Sequence, residues 1–161
     1  MNKGGSERHE LFQKWLESVE NEKTRQYIQE RVIKQMEWYR IKSKSYKIKY
    51  QRWMAASIIL SGSIPIVSVF ADGGVISKVI IAALGAMVTG ISAYLSLHNY
   101  KELWNIYRVN REMLLSTLYL YFNNVGIFKK DLDQDCRDAM LIDICEKSFQ
   151  QEYNSWKSVI K

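Results

Sequence analysis

The chain has 161 residues, one proline and a formal net charge of +6, and its mean hydropathy of -0.25 is that of an ordinary soluble protein. This length excludes a large multidomain assembly, and the scarcity of proline favours an all-helical fold. No apolar segment follows the charges of residues 1–13, so we predict no signal peptide and a cytoplasmic amino terminus.

Residues 1–52 are predicted to form cytoplasmic amphipathic helices that end in a basic stalk. Apolar residues recur at helical spacing between Leu11 and Val19, and again from Ile28 to Tyr50. The second stretch contains neither glycine nor proline. The apolar block that follows it should therefore extend into the cytoplasm as one long helix.

A basic cluster lies directly before the first apolar block. Its members are Arg40, Lys42, Lys44, Lys47, Lys49 and Arg52. No acidic residue occurs between Glu37 and Asp72, and the other basic residues equal the acidic ones in number, so the net charge resides in this cluster. A basic run can indicate a nucleic-acid site. Its position against an apolar block instead favours the cytoplasmic membrane surface and contact with anionic lipid headgroups.

Two apolar blocks, residues 53–71 and 79–98, contain no Asp, Glu, Lys or Arg. About 20 apolar residues at about 1.5 Å per residue span a hydrocarbon core of roughly 30 Å. The alternative is a pair of buried core helices in a soluble bundle. The connection, residues 72–78, is too short for a folded domain, so residues 53–98 are predicted to form a transmembrane hairpin. Both termini are then expected on the cytoplasmic side of the inner (plasma) membrane.

Residues 99–161 are predicted to form a second cytoplasmic stalk and a carboxy-terminal helix. Helical spacing of apolar residues continues from Tyr100 to Tyr121, and a last amphipathic helix is expected from about Arg137. These apolar faces need cover, so the flanking helices should pack into an antiparallel helical bundle, within one chain or between chains. The predicted fold class is therefore an all-α membrane protein, a hairpin continuous with long cytoplasmic helices.

Hydroxyl side chains recur along both apolar blocks. The candidate pore-lining residues are Ser57, Ser61, Ser68, Thr89, Ser92 and Ser96. A hydroxyl in hydrocarbon faces water, contacts another helix or bonds its own backbone. Pro65, Gly85 and Gly90 are candidate hairpin or gate positions, because proline can kink a helix and small residues permit close packing. Asp72 is expected at an outer mouth, with a plain turn residue as the alternative.

No pattern in the chain indicates catalysis, a cofactor or a metal site. The two histidines lie far apart, and the spacing of Cys136 and Cys145 matches no zinc pattern. Asp131, Asp133 and Asp135 resemble the start of a calcium loop, but its glycine and closing glutamate are missing. We therefore expect a protein that is not an enzyme.

The chain resembles the SLATT superfamily of bacterial membrane proteins with two transmembrane helices. The similar segments are residues 27–53, both apolar blocks, residues 103–114 and residues 152–156. The markers are Trp38, Tyr39, Trp104, Tyr107, Arg108, Glu112, Glu152 and Trp156. Many members of that superfamily have an acidic residue near Thr117, which this chain lacks. The resemblance implies a pore-forming effector and supplies no catalytic or ligand residues.

The expected function is an oligomeric pore, either a cation-permeable ion channel or a membrane-permeabilising effector. Two helices enclose no channel, so a pore requires a homo-oligomer. The expected partners are ions, anionic lipid headgroups and further copies of the chain, and no nucleic acid. The alternative is a non-conducting membrane anchor or scaffold whose cytoplasmic helical bundle binds a protein partner.

Overall fold

The structure is a computed structural model that describes residues 12–70 and 73–160, with side chains up to Lys157. Within these residues the chain is all-α, with 89% helix and no strand, which confirms the predicted fold class at this level. The positions of Leu11 and Asp72 lie outside the described residues, so the predictions made for them stay predictions.

The helices follow one another with short connections. After helical residues 12–17 come α1 (Glu22–Tyr27), a π-helical turn (Ile28–Ile33), α2 (Lys34–Val69), α3 (Val75–His98), α4 (Tyr100–Phe122), a 3-10 turn (Gly126–Phe128) and α5 (Gln134–Ile160). The Asn21 side chain caps α1 by accepting from the amides of Lys23 and Thr24. The last helix begins at Gln134, three residues before Arg137, the start that the sequence predicted. The amide of Arg137 donates to Asp133 O at 3.1 Å.

The chain divides into two compact units. The first, called the helical unit, consists of residues up to Ile41 together with Ile106–Lys157. The second, called the hairpin unit, consists of Lys42–Asn105 and the end of the chain. The boundaries fall inside α2 and α4, so each of these helices contributes to both units.

The core of the helical unit is built from apolar stripes on four segments. Ile28, Val32 and Tyr39 are fully buried along the π-helical turn and the start of α2. Leu118 on α4 and Leu141 on α5 are equally buried. Burying an aliphatic side chain of this size contributes about 1.5–3 kcal/mol, so this packing holds the unit together.

A buried carboxylate sits within that core. Asp138 on α5 is 3% exposed and accepts hydrogen bonds from Thr24 Oγ1 at 2.8 Å, Tyr121 Oη at 2.5 Å and Gln134 Nε2 at 2.7 Å. Burial and the bond to Asp138 raise the pKa of Tyr121, so its hydroxyl remains a donor at neutral pH. This cluster ties α1, α4 and α5 together by polar contacts.

The hairpin unit contains two helices that are long and apolar enough to cross a membrane, and none of their most apolar residues is buried. The Trp53 and Tyr94 rings lie 5.2 Å apart, so the ends of the apolar segments remote from the turn are neighbours. The soluble-bundle alternative requires such helices to be buried. Within the described chain they are exposed.

The second apolar helix is not continuous with the helix that follows it, which corrects the predicted fold. Asn99 has φ 46° and ψ 33°, a left-handed conformation that ends α3, and Leu103 N donates to Asn99 O at 3.0 Å as α4 begins. Asparagine adopts this conformation more readily than other side-chain-bearing residues. Periodicity alone does not reveal the break, because apolar spacing continues across it. By contrast, α2 is unbroken.

Asn99→Ala should lower the stability of the hairpin unit by about 1 kcal/mol, since alanine tolerates the left-handed region poorly. Asn99→Gly should leave stability almost unchanged, because glycine adopts that region freely. Thermal unfolding of the detergent-solubilised chain, followed by far-UV circular dichroism, compares the two variants. Equal midpoints for alanine and glycine would rule out the left-handed junction.

Candidate functional site

Each apolar helix has one half-buried face, and because the helices lie side by side at Trp53 and Tyr94, we infer that these two faces meet. On α2 the half-buried apolar residues of this contact face are Ala56, Leu60, Ile64 and Val67, and Ser57 and Ser63 are half-buried at its two edges. On α3 they are Ile81, Leu84, Val88, Ile91 and Leu95. Spacings of three and four residues place each set on one side of its helix. The contact face is the reference from which the angular positions of the other side chains around each helix are measured.

The hydroxyl stripes of both helices lie on the same side of the hairpin. At about 100° per residue, Ser57, Ser61 and Ser68 are offset by roughly 60–100° from Leu60. The stripe on α3, Thr89, Ser92 and Ser96, is offset from Val88 by roughly 40–100° in the same rotational sense. Because the helices are antiparallel, equal offsets point to the same side. We call this side the hydroxyl face.

The opposite side of the hairpin is aliphatic. Ile59, Ile66, Ile80 and Met87 have exposed fractions of 71%, 61%, 46% and 47%. All four are offset from the contact face in the sense opposite to the hydroxyl stripes. We call this side the aliphatic face. The hairpin is therefore amphipathic within its apolar segments.

Two of the candidate pore-lining hydroxyls bond their own helix. Thr89 Oγ1 donates to Gly85 O at 3.0 Å, and Ser92 Oγ donates to Val88 O at 2.9 Å. The alternative of backbone bonding therefore applies to both, although each oxygen keeps lone pairs that can accept from water. Ser61, Ser68 and Ser96 are also exposed, and Ser57 is half-buried.

The predicted hairpin or gate residues lie inside the helices. Pro65 is exposed within α2, and this helix continues through it. Gly85 and Gly90 are in α3, and a Cβ atom added at either would meet nothing within 4 Å, as would one at Gly62 of α2. Gly62 and Gly90 point away from the contact face, so both outer sides of the hairpin have open space beside glycine.

The basic cluster is only partly free to meet other charges. Arg40 donates to Glu37 through Nε at 2.8 Å and through a terminal nitrogen at 2.5 Å, and this guanidinium lowers the pKa of the Glu37 carboxyl. Lys47 Nζ lies 5.4 Å from the centre of the Trp104 ring. Lys49 Nζ lies 5.8 Å from the Tyr46 ring. The exposed Lys44 and Arg52 complete the positive surface, with Lys42 half-buried.

Aromatic rings cluster where the apolar segments meet the basic residues. The Tyr46 and Tyr100 rings are 5.9 Å apart, and the hydroxyl oxygens of Tyr94 and Tyr100 are 3.0 Å apart. His98 stacks on Tyr100 at 5.2 Å. The sequence alone does not reveal these contacts, because they depend on the left-handed turn at Asn99. Amphipathic rings at such a boundary are typical of a membrane interface.

The helical unit contains a surface cleft of about 410 Å³ that sequence reasoning missed. Its lining residues are Arg31, Glu146, Phe149, Gln150, Tyr153 and Asn154. Arg31 donates to both carboxylate oxygens of Glu146, at 3.2 and 3.3 Å, and its guanidinium lies 4.8 Å from the Phe149 ring centre. Arg31 belongs to the π-helical turn, a local widening that is frequent at functional sites. The Arg31–Glu146 pair joins residues 115 positions apart, so the local spacing of charges along one helix does not reveal it.

No group of three or more His, Cys, Asp or Glu side chains could hold a metal ion among the described residues. Cys136 is exposed and Cys145 is buried, and both are free thiols. Burial raises the pKa of the Cys145 thiol to about 12. A thiol that stays protonated is a poor nucleophile and a poor metal ligand.

Glu146→Gln should lower stability at neutral pH by under about 1 kcal/mol, because the ion pair with Arg31 is roughly half exposed and screened. The bond from Arg31 lowers the pKa of Glu146 below its ordinary value. The pair therefore stabilises the fold above the unfolded-state pKa, and this contribution disappears as pH falls through the folded-state pKa. Denaturant unfolding at pH 7 and at acid pH should show the difference between wild type and variant only at pH 7. A difference that persists at acid pH would contradict this assignment.

A sequence-family model described as Protein of unknown function (DUF4231) matches residues 34–135. The match covers Lys42–Asn105 of the hairpin unit and, in the helical unit, parts of α2 and α4 and the start of α5. No curated protein and no solved structure matches the chain significantly.

Proposed function

The chain belongs to the DUF4231 family, a family of unknown function, and we propose that it is an oligomeric, cation-permeable pore of the plasma membrane. The resemblance of the sequence to the SLATT superfamily is part of this proposal, because that resemblance implies a pore-forming role. The observation that carries the proposal is the division of the hairpin into a hydroxyl face and an aliphatic face.

Insertion into the bilayer is supported by length, composition and exposure. α3 has 24 residues, a length of about 36 Å that exceeds a hydrocarbon core of roughly 30 Å. Large apolar side chains are exposed on both helices, with Ile58 and Ile59 of α2 62% and 71% exposed. Such a surface is unfavourable in water and favourable in lipid.

Orientation follows from the basic and aromatic residues. The basic cluster precedes the first span, and rings of Trp53 and Tyr94 mark the same end of the hairpin. Positive residues are retained on the cytoplasmic side and attract anionic headgroups, while Trp and Tyr favour the interface. Both termini are then cytoplasmic, and the turn before Val75 faces outward.

Oligomerisation into a ring accounts for the two faces of the hairpin. Hydroxyl groups would line a water-filled lumen and the aliphatic face would meet lipid tails. Neighbouring copies would then meet along the outer sides, where Gly62 and Gly90 have open space. Small residues allow such close helix approach in membranes. Several copies of Asp72 at the outer mouth would favour cations.

Purified protein reconstituted into liposomes tests the pore directly. We expect release of entrapped potassium ions that scales with protein content, and a ring of several copies by mass measurement in nanodiscs. Intact liposomes at all protein contents, together with a monomer in nanodiscs, would exclude a constitutive pore.

A non-conducting membrane anchor is the second candidate. It is favoured by surfaces of the helical unit, where Val109, Met113 and Leu120 form an exposed stripe along α4 and the cleft beside Arg31 presents two rings. Exposed apolar surface of this kind typically marks a protein-binding site. Absence of ion flux combined with a stable complex between the full chain and a cytoplasmic protein would favour this function over the pore.

A further inference from the structure

We propose that the backbone carbonyl oxygen of Ser61, freed by Pro65, is a cation ligand in the lumen, where the copies of the chain present a ring of such oxygens. This inference rests on the proposed pore and adds the group that selects the ion. The ligand class is a monovalent cation that has shed part of its hydration shell.

The carbonyl lacks its helical donor for a covalent reason. In an α-helix the amide of residue i+4 donates to the carbonyl of residue i, and Pro65, which has no amide hydrogen, is the residue four positions after Ser61. The hydroxyl of Ser63 does not replace it, because Ser63 Oγ donates to Leu60 O at 2.7 Å. The Ser61 oxygen thus lacks the amide donor of the regular helical pattern, and the Ser63 hydroxyl does not take its place.

Ser61 lies at a depth where a backbone carbonyl without a donor is costly in a bilayer. Ser61 lies about midway between Trp53 and the turn, at the centre of the first span. An unpaired backbone carbonyl in hydrocarbon costs several kcal/mol, so a spanning helix keeps one only where neighbouring groups, water or an ion satisfy it. The Ser61 side chain is exposed on the hydroxyl face, which is the proposed water-filled side.

The facing helix leaves room at this level. Trp53 lies against Tyr94, and counting along the antiparallel helices from this pair brings Ser61 level with Ala86 and its neighbour Gly85. Neither residue has a side chain beyond Cβ, and a Cβ atom added at Gly85 would meet nothing within 4 Å. On the side of the facing helix, a partly hydrated ion would therefore meet no bulky group.

The chemistry of the oxygen sets the sign of the selectivity. A carbonyl dipole presents negative charge and replaces water around a cation, whereas it repels an anion. The Ser61 hydroxyl adds a second oxygen lone pair at the same level. No covalent step is involved, so the ring acts through coordination alone.

Pro65→Ala and Pro65→Gly test this site, because both restore the amide hydrogen while differing in helix propensity. In planar bilayers with a potassium chloride gradient, the full chain should show a reversal potential that favours cations. Each variant should lower the potassium-to-chloride permeability ratio by about tenfold, the effect of losing roughly one favourable contact of about 1.4 kcal/mol. Ile66→Ala, next in sequence but on the aliphatic face, is the matched control and should keep the wild-type ratio.

The outcomes separate this inference from the pore itself. A conducting wild type whose ratio is unchanged in both proline variants would overturn the carbonyl site and leave the pore standing. A permeability ratio that falls in Pro65→Ala but not in Pro65→Gly would also overturn the carbonyl site, because the effect would then come from helix shape and not from the restored amide hydrogen. A wild type that never conducts would remove the pore and this site together.

Discussion

Ser61→Leu and Ser92→Leu should each reduce cation flux out of liposomes by at least roughly tenfold, since an apolar side chain on the hydroxyl face would dewet the lumen. Ser61 lies on the first span and Ser92 on the second, so both helices are tested. The measurement is potassium release from proteoliposomes at matched protein content.

Ala83→Leu is the control for these two variants. Ala83 is exposed on the aliphatic face of α3, so the added bulk would meet lipid tails and flux should remain near wild type. If Ala83→Leu blocks flux while the two serine variants conduct normally, the lumen lies on the opposite side of the hairpin from the one proposed.

Asp138→Ala should lower the free energy of unfolding of the helical unit by about 2–6 kcal/mol, the cost of leaving the two buried donors Thr24 and Tyr121 without an acceptor. The reason is that Thr24, Tyr121 and Gln134 would lose their shared acceptor inside the core. Each buried donor left without a partner costs about 1–3 kcal/mol. Denaturant unfolding of the full chain in detergent, followed by circular dichroism, measures the loss.

Asp143→Ala is the matched control, because Asp143 is another aspartate of α5 but lies at the surface. It pairs with Lys147 at 2.7 Å one helical turn away, and such pairs contribute about 0.2–0.5 kcal/mol. A similar loss of stability in both variants would mean that Asp138 is not the acceptor that joins the three helices.

The helical class and the two apolar segments could be predicted because they depend on local properties of the chain. A run of about 20 mostly apolar, uncharged residues is long enough to span a hydrocarbon core as one helix. The structure adds that α2 begins at Lys34 and continues unbroken to Val69. Periodicity alone could not place the junction at Asn99, since one residue in a left-handed conformation leaves the apolar spacing intact.

The candidate site could be predicted only in part. Each hydroxyl stripe follows from helical spacing, but their placement on one side depends on which faces of α2 and α3 meet. The cluster around Asp138 joins Thr24 and Tyr121, which are 114 and 17 residues away. Contacts of this range are set by packing and leave no local pattern in the sequence.

Accessibility of single cysteines to a membrane-impermeant maleimide tests the hairpin most directly. Lys78 is exposed at the start of α3, and Cys136 is exposed in the helical unit, while Cys145 is buried. In intact cells, Lys78→Cys in a Cys136→Ser background should be labelled at once, and Cys136 of the wild type should be labelled only after permeabilisation. Labelling of Cys136 in intact cells, or of Lys78→Cys only after permeabilisation, would contradict two helices that cross the bilayer with cytoplasmic ends.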